Sequence, residues 1–195
     1  EVVGSAPDPY VAREKIAQLN PDVLTLDVEM PRMDGLTLLE KLMRHHPLPV
    51  IVVSSLTPSS SDNAMRAMAL GAVEIVSKPS SQFSAPDVER QLIRAIRAAA
   101  AAKVGKKSLL AGEAVSLSTP VVSGLQTTHK IIAIGASTGG TQAIEHVLRS
   151  WPANAPGTVI VQHMPEGFTE PFANRLNQIC QVEVSIIIKG KQKEF

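Results

Sequence analysis

Five short apolar runs set the architecture of this chain. They are Val23–Leu26, Val50–Val53, Val73–Val76, Ile131–Ile134 and Thr158–Gln162. Each has strand length, and helix-period segments stand between them. Strands that alternate with helices in this rhythm form parallel sheets with helices packed on their faces. The helices carry their own punctuation. Asp8-Pro9 supplies an N-cap and a first-turn proline, and Val11, Ala12, Ile16 and Leu19 share a face before a stop at Asn20-Pro21. A second helix spans Leu36 to Met43, with Asp34 as its cap. A third lies near Asp62–Leu70, closed by Gly71, and a fourth follows Ser84-Ala-Pro-Asp87. Glu1-Val2-Val3-Gly4 reads as the end of a further strand.

From about Ala101 the rhythm fails. A tract rich in Ser, Thr, Gly and Val reads as a flexible linker over residues 104–128, and the pattern restarts at Lys130. The expected division is a first domain over residues 1–103 and a second over 129–195. With 19 basic and 18 acidic residues, charge gives no general attraction to nucleic acid or membrane. One cysteine, Cys180, excludes a disulfide framework within the chain. No apolar run reaches the ~20 residues of a membrane helix.

In parallel sheets of this kind, ligands gather at the carboxyl ends of the strands. Asp27, Ser54 and Lys78 stand at three such ends. A carboxylate that attacks phosphorus, a hydroxyl that donates to the phosphoryl oxygen and a lysine that pairs with its charge make a phosphoryl-transfer site. A divalent metal there would need more than one carboxylate. His45 and His46 lie near a helix end, where cationic character suits the dipole.

The second chemical feature is Lys130-Ile-Ile-Ala-Ile-Gly-Ala-Ser-Thr-Gly-Gly140. A strand breaks at Gly135 into a turn bearing Ser137, and Gly139 and Gly140 open a helix with Ala143, Ile144, Val147 and Leu148 on one face. This device presents a serine at a strand end beside unpaired helix N–H groups. Serine needs a base, and His163 ends the next strand. Gly135-Ala-Ser-Thr-Gly139 fits G-x-S-x-G, yet an α/β-hydrolase would place its acid between serine and histidine. No aspartate follows Asp87, and Glu145 lies mid-helix. Glu166 and Glu170 are acid candidates by position only. The glycines also fail G-x-G-x-x-G, which disfavours a dinucleotide site.

Three segments resemble the receiver domain of bacterial response regulators: Asp22–Gly35, Val50–Ser55 and Val76–Pro79. The resemblance implies that Asp27 is the phospho-acceptor, Ser54 the hydroxyl that senses the phosphoryl group and Lys78 its cationic partner. It implies Mg2+ at Asp27, held with an acidic pair of the family's first strand that this chain does not carry. It also implies a cis Lys78–Pro79 bond. With the linker, Ile-Gly-Ala-Ser-Thr-Gly-Gly and Gln-His-Met-Pro, the whole chain resembles the chemotaxis response-regulator protein-glutamate methylesterases. That family implies a flavodoxin-like receiver, here without its first strand and helix, linked to a parallel-sheet, Rossmann-like esterase domain cut short at its carboxyl end. It implies Ser137 as nucleophile and His163 as general base, with the triad aspartate and part of the oxyanion hole beyond Phe195. It implies hydrolysis of receptor glutamate methyl esters, deamidation of receptor glutamines, a chemotaxis histidine kinase and methyl-accepting receptors as partners, and a cytoplasmic setting. The esterase itself requires no cofactor on this reading. The alternative is a phosphorylatable signalling module whose esterase portion is inert.

Overall fold

The computed structural model describes residues 1–30, 34–55, 57–80, 84–102 and 131–187. The linker expected over 104–128 lies outside the described residues, as does the tail from 188 onward.

The first unit contains α1 (Pro9–Leu19), β1 (Leu24–Asp27), α2 (Gly35–His45), β2 (Val50–Ser54), α3 (Pro58–Leu70), β3 (Glu74–Ser77) and α4 (Ala85–Ala100). The strands form a parallel sheet in the order β1-β2-β3. Strand period sorts the core. Val50 and Val52 join Ile16, Leu39, Met65 and Met68 on one face, whereas Ile51 joins Val88, Ala95 and Ala99 of α4 on the other. Helices therefore cover both faces, and β2 reads as an unbroken apolar run because both its sides are buried.

The local punctuation acts as the residues require. The Asp8 carboxylate accepts from the N–H groups of Tyr10 and Val11, and Asn20 ends α1 in the left-handed region. Asp34 caps α2. Gly71 closes α3 at φ 115°, a conformation that favours glycine. The start of α3 differs from the expected position near Asp62. Thr57 caps it through the Ser60 N–H, and Pro58 occupies the first turn, so the Ser-rich stretch is helical rather than loop. The expected strand end at Glu1–Gly4 does not form among the described residues. Val2 and Val3 are exposed and have no paired strand to donate to. Lys78–Pro79 is trans, the isomer an X–Pro bond favours unless its surroundings select the other.

The second unit contains β4 (Ile132–Ala136), α5 (Gly140–Arg149), β5 (Thr158–Gln162), a single 3₁₀ turn (Glu166–Phe168) and α6 (Thr169–Ile179). β4 and β5 pair in parallel, from Ile132 with Thr158 to Ala136 with Gln162. Ile131–Ile134 reads from its unbroken apolar run as a buried strand, yet among the described residues burial alternates along both β4 and β5, and Val159 and Val161 are exposed. Ile131 stands outside the strand, which instead runs through Gly135 to Ala136. Within α5, Ile144 and Leu148 are buried while Val147 is 40% exposed, so the apolar face is narrower than its sequence suggests.

The two units share one apolar cluster. Ile144, Leu148, Phe168, Phe172 and Leu176 of the second unit belong to the same buried group as Leu39, Met65 and Met68 of the first. Phe168 is the largest of the completely buried side chains and stands in this shared core. Among the described residues no helix is long and apolar enough to cross a membrane.

Candidate functional site

The first site forms where β1 and β3 end side by side across β2. Lys78 Nζ lies 2.7 Å from Asp27 Oδ2 and 3.6 Å from Glu29 Oε2. The strand ends bring the pair together, since Lys78 N–H donates to the Ser54 carbonyl at 2.8 Å and so continues the ladder past β3. The Asp27 carboxylate also accepts from the Glu29 N–H at 2.9 Å. Gly35 closes the loop beneath it. A Cβ there would stand 2.6 Å from the Asp27 carbonyl oxygen, so only glycine allows α2 to approach so closely.

Ser54 is fully buried, and its hydroxyl donates to the Ser60 carbonyl at 3.3 Å, in the first turn of α3. Asp27 and Lys78 are thus in contact, while Ser54 faces the helix. Glu29 links the two arrangements and was not singled out by sequence. Its Oε1 accepts from the hydroxyls of Ser60 and Ser55, and Ser60 also bonds Thr57. The Ser60 bond chiefly lowers the Glu29 pKa; burial opposes it, and Ser55 and Lys78 add to the lowering. The Asp27 hydrogen bond raises the Lys78 pKa against the cost of burial, with the charges of Asp27 and Glu29 in support. The one signal for Glu29 was its place two residues beyond Asp27.

The described carboxylates do not amount to a divalent-cation site. Asp27 is engaged by Lys78, Glu29 by two hydroxyls, and no group of three His, Cys, Asp or Glu side chains gathers among the described residues. A hard cation takes about six or more oxygen ligands.

The second site sits where β4 and β5 end. His163 N–H donates to the Ala136 carbonyl at 3.0 Å, which sets His163 beside the turn that carries Ser137. Both residues line one narrow crevice of about 20 Å3. Gln162 clamps that turn. Its Nε2 donates to the carbonyls of Ser137 and His163, each at 2.9 Å. Gly140 makes room for the clamp, since a Cβ there would stand 2.1 Å from Gln162 Oε1 and 2.7 Å from Ala136 Cβ. Gly139 enters α5 at φ 73°, a second position suited to glycine.

The acid candidates separate. Glu145 accepts from Arg175 Nε and Nη2 and from Arg149 Nη2, at 2.7 to 3.1 Å, and ties α5 to α6. Glu170 lies in the first turn of α6 and lines a different cleft, against Asp62 and Arg66 of α3. Glu166 opens the 3₁₀ turn. The acidic residue in the Ser137 crevice is instead Glu74, from β3 of the first unit.

The class is thereby defined: a receiver-type sheet with an Asp–Lys pair at its carboxyl edge, joined to a parallel α/β unit that presents a serine and a histidine at adjacent strand ends. Residues 2–87 match the family described as response regulator receiver domain, and residues 132–194 match CheB methylesterase. The chain is 54% identical over 184 residues to "Protein-glutamate methylesterase/protein-glutamine glutaminase 2" of Syntrophus aciditrophicus, covering 94% of this chain and 54% of that one. It is 50% identical over 194 residues to the enzyme of the same name, unnumbered, from Salmonella choleraesuis, covering 98% and 54%. The response regulator domain of Thermotoga maritima CheB aligns with 38% identity and a TM-score of 0.47, over 53% of this chain and 78% of that one. The two parts of the chain thus match the receiver and methylesterase families in the order in which they stand, along a sequence similar over nearly its whole length to protein-glutamate methylesterases. The chain spans about half the length of the curated relatives it matches.

Proposed function

We propose that this chain carries the regulatory half and the nucleophile of a phosphorylation-controlled protein-glutamate methylesterase that also deamidates glutamine. The observation that carries this reading is the placement of Ser137 and His163 at paired strand ends, in one crevice beside the head of α5.

Ser137 Oγ attacks the γ-carbonyl of a methylated glutamate on a chemoreceptor, and His163 takes the serine proton. The C–O bond to methoxide breaks as His163 returns the proton, releasing methanol. Water then attacks the acyl-enzyme, with His163 as base, to give glutamate and free serine. An amide leaving group, released as ammonia, gives glutamine deamidation by the same steps. The N–H groups of Thr138 and Gly139 are the donors for the developing oxyanion, since the Gly140 N–H is taken by the Ser137 carbonyl at 2.7 Å.

Control follows from the contact between units. β3 and the end of α3 wall the crevice through Met68, Val73, Glu74 and Ile75 and narrow it beside Ser137 and His163, whose side chains keep a solvent-facing side. A histidine kinase phosphorylates Asp27. The new phosphoryl group competes for Lys78 and Ser54, which now serve Asp27, Glu29 and α3. Loss of those ties loosens α3, and the crevice opens. Magnesium at Asp27 would draw further acidic ligands from outside the described residues. The setting is cytoplasmic, where kinase and receptor tails meet.

Methanol release from methylated receptor membranes tests the reading, using the gene product that carries this sequence. Ser137→Ala and His163→Ala are each expected to remove release. Asp27→Asn is expected to keep basal release and lose its stimulation by a phosphodonor. Undiminished release by Ser137→Ala overturns the assignment.

A further inference from the structure

The contact that closes the crevice has a specific chemical form. Thr138, the residue after Ser137, donates its hydroxyl to Glu74 Oε2 at 2.5 Å. The adjacent Gly139 N–H donates to the Val73 carbonyl at 3.3 Å, and Gln142 Nε2 reaches the Ala72 carbonyl at 2.6 Å. Three consecutive receiver residues, Ala72-Val73-Glu74, therefore lie across the head of α5. They present a backbone carbonyl to a helix-terminal N–H and a glutamate γ-carboxylate to a hydroxyl.

The proposed reaction yields a glutamate γ-carboxylate on a peptide, and Glu74 is such a group. We infer, resting on the methylesterase reading, that Val73-Glu74 inhibits the second unit as a built-in product mimic. On this account Thr138 Oγ1 is also the group that recognises the γ-carboxyl oxygen of a receptor glutamyl side chain. The chemistry suits the placement. A hydroxyl donates to an ester carbonyl, an amide carbonyl or a carboxylate alike, and binds the ionised product most strongly. The N-terminus of α5 further favours a negative group. The receiver thus competes with substrate for donors and does more than shade the site. Release of the receiver frees the Gly139 N–H for the reaction at the moment the carboxylate leaves Thr138.

The test uses the unphosphorylated gene product, with Ser137 labelling by a fluorophosphonate read by peptide mass spectrometry. Glu74→Ala and Glu74→Asp, which respectively delete the carboxylate and shorten its reach, are each expected to label about tenfold faster, the effect of losing one charge-assisted hydrogen bond. Glu74→Gln keeps a carbonyl oxygen at full reach and is expected to stay within about threefold of the parent. It also controls for damage to β3. Methyl-ester hydrolysis should show the change in apparent KM and little in kcat, as for relief of competition. Phosphorylated parent protein sets the upper limit of labelling. If that form labels at Ser137 while Glu74→Ala matches the unphosphorylated parent, the mimicry is overturned and the esterase reading stands. If no form labels at Ser137, the nucleophile assignment falls and the mimicry with it.

Discussion

The two sites sit at the same place in two similar sheets and are held in opposite ways. Around Asp27, side chains hold side chains: Lys78 meets two carboxylates, and Glu29 gathers the hydroxyls of Ser55 and Ser60. Around Ser137, the backbone does the holding, through the His163–Ala136 bond and the Gln162 clamp, and the Ser137 and His163 side chains keep a solvent-facing side. A site meant to respond to one added charge is best built from charges that can repartner. A site meant to present a nucleophile is best built on fixed backbone. The sheets beneath differ in the same sense. Among the described residues β2 is buried on both faces, while β4 and β5 are covered on one.

The largest effect expected from this contrast is in the first core. Leu39, fully buried, should cost about 2–5 kcal/mol on substitution to alanine, read by denaturant unfolding of the intact chain. An effect below ~1 kcal/mol would show that α2 adds little to the core. Next comes the backbone-built site. Gly140→Ala drives a methyl into Gln162 and Ala136 and should lower the Ser137 labelling rate about 100-fold, the scale of a displacement of roughly 1 Å at a reacting group. Unchanged labelling would mean that the clamp is dispensable. Gly35→Ala presses on the Asp27 carbonyl and should cost about 1–3 kcal/mol while slowing phosphoryl uptake.

A smaller effect separates the sites by pH. The Glu29 pKa is lowered, chiefly by Ser60, so its stabilisation is present above the ordinary carboxylate range and is lost as pH falls through the lowered value. The Lys78 pKa is raised, chiefly by Asp27, so its contribution is present below the ordinary lysine range and is lost as pH rises through the raised value. Glu29→Gln should therefore flatten the acid limb of stability and leave the alkaline limb in place. An acid limb unaltered by that change would place the titration elsewhere. Smallest of all, Val161→Thr at a position of β5 exposed among the described residues should shift stability of this chain by no more than ~0.5 kcal/mol.

What the sequence disclosed follows from the range of each interaction. Asp8, Asn20, Asp34 and Gly71 act on neighbours within a turn, so their roles are legible from composition and spacing. Asp27 and Lys78 are legible together because strand ends of one parallel sheet must converge. The Thr57 cap was hidden because a run of serines reads equally as loop or as a helix start. Alternating burial in β4 and β5 was hidden because Val, Ile and Ala fill both faces, which erases the period-two signal. Thr138 and Glu74 stand 64 residues apart on different units, and no local pattern joins them. Gln162 carried a usable sign, since strand alternation sets it on the face of Ile160, toward α5.

The central claim is that the receiver closes a serine site and that phosphorylation of Asp27 opens it. The most direct measurement is the rate of Ser137 labelling by a fluorophosphonate in the gene product, with and without a small phosphodonor, in parent and Asp27→Asn forms. The account predicts a faster rate with phosphodonor in the parent and no change in Asp27→Asn. Labelling of Ser137 at one rate in all four samples would contradict it.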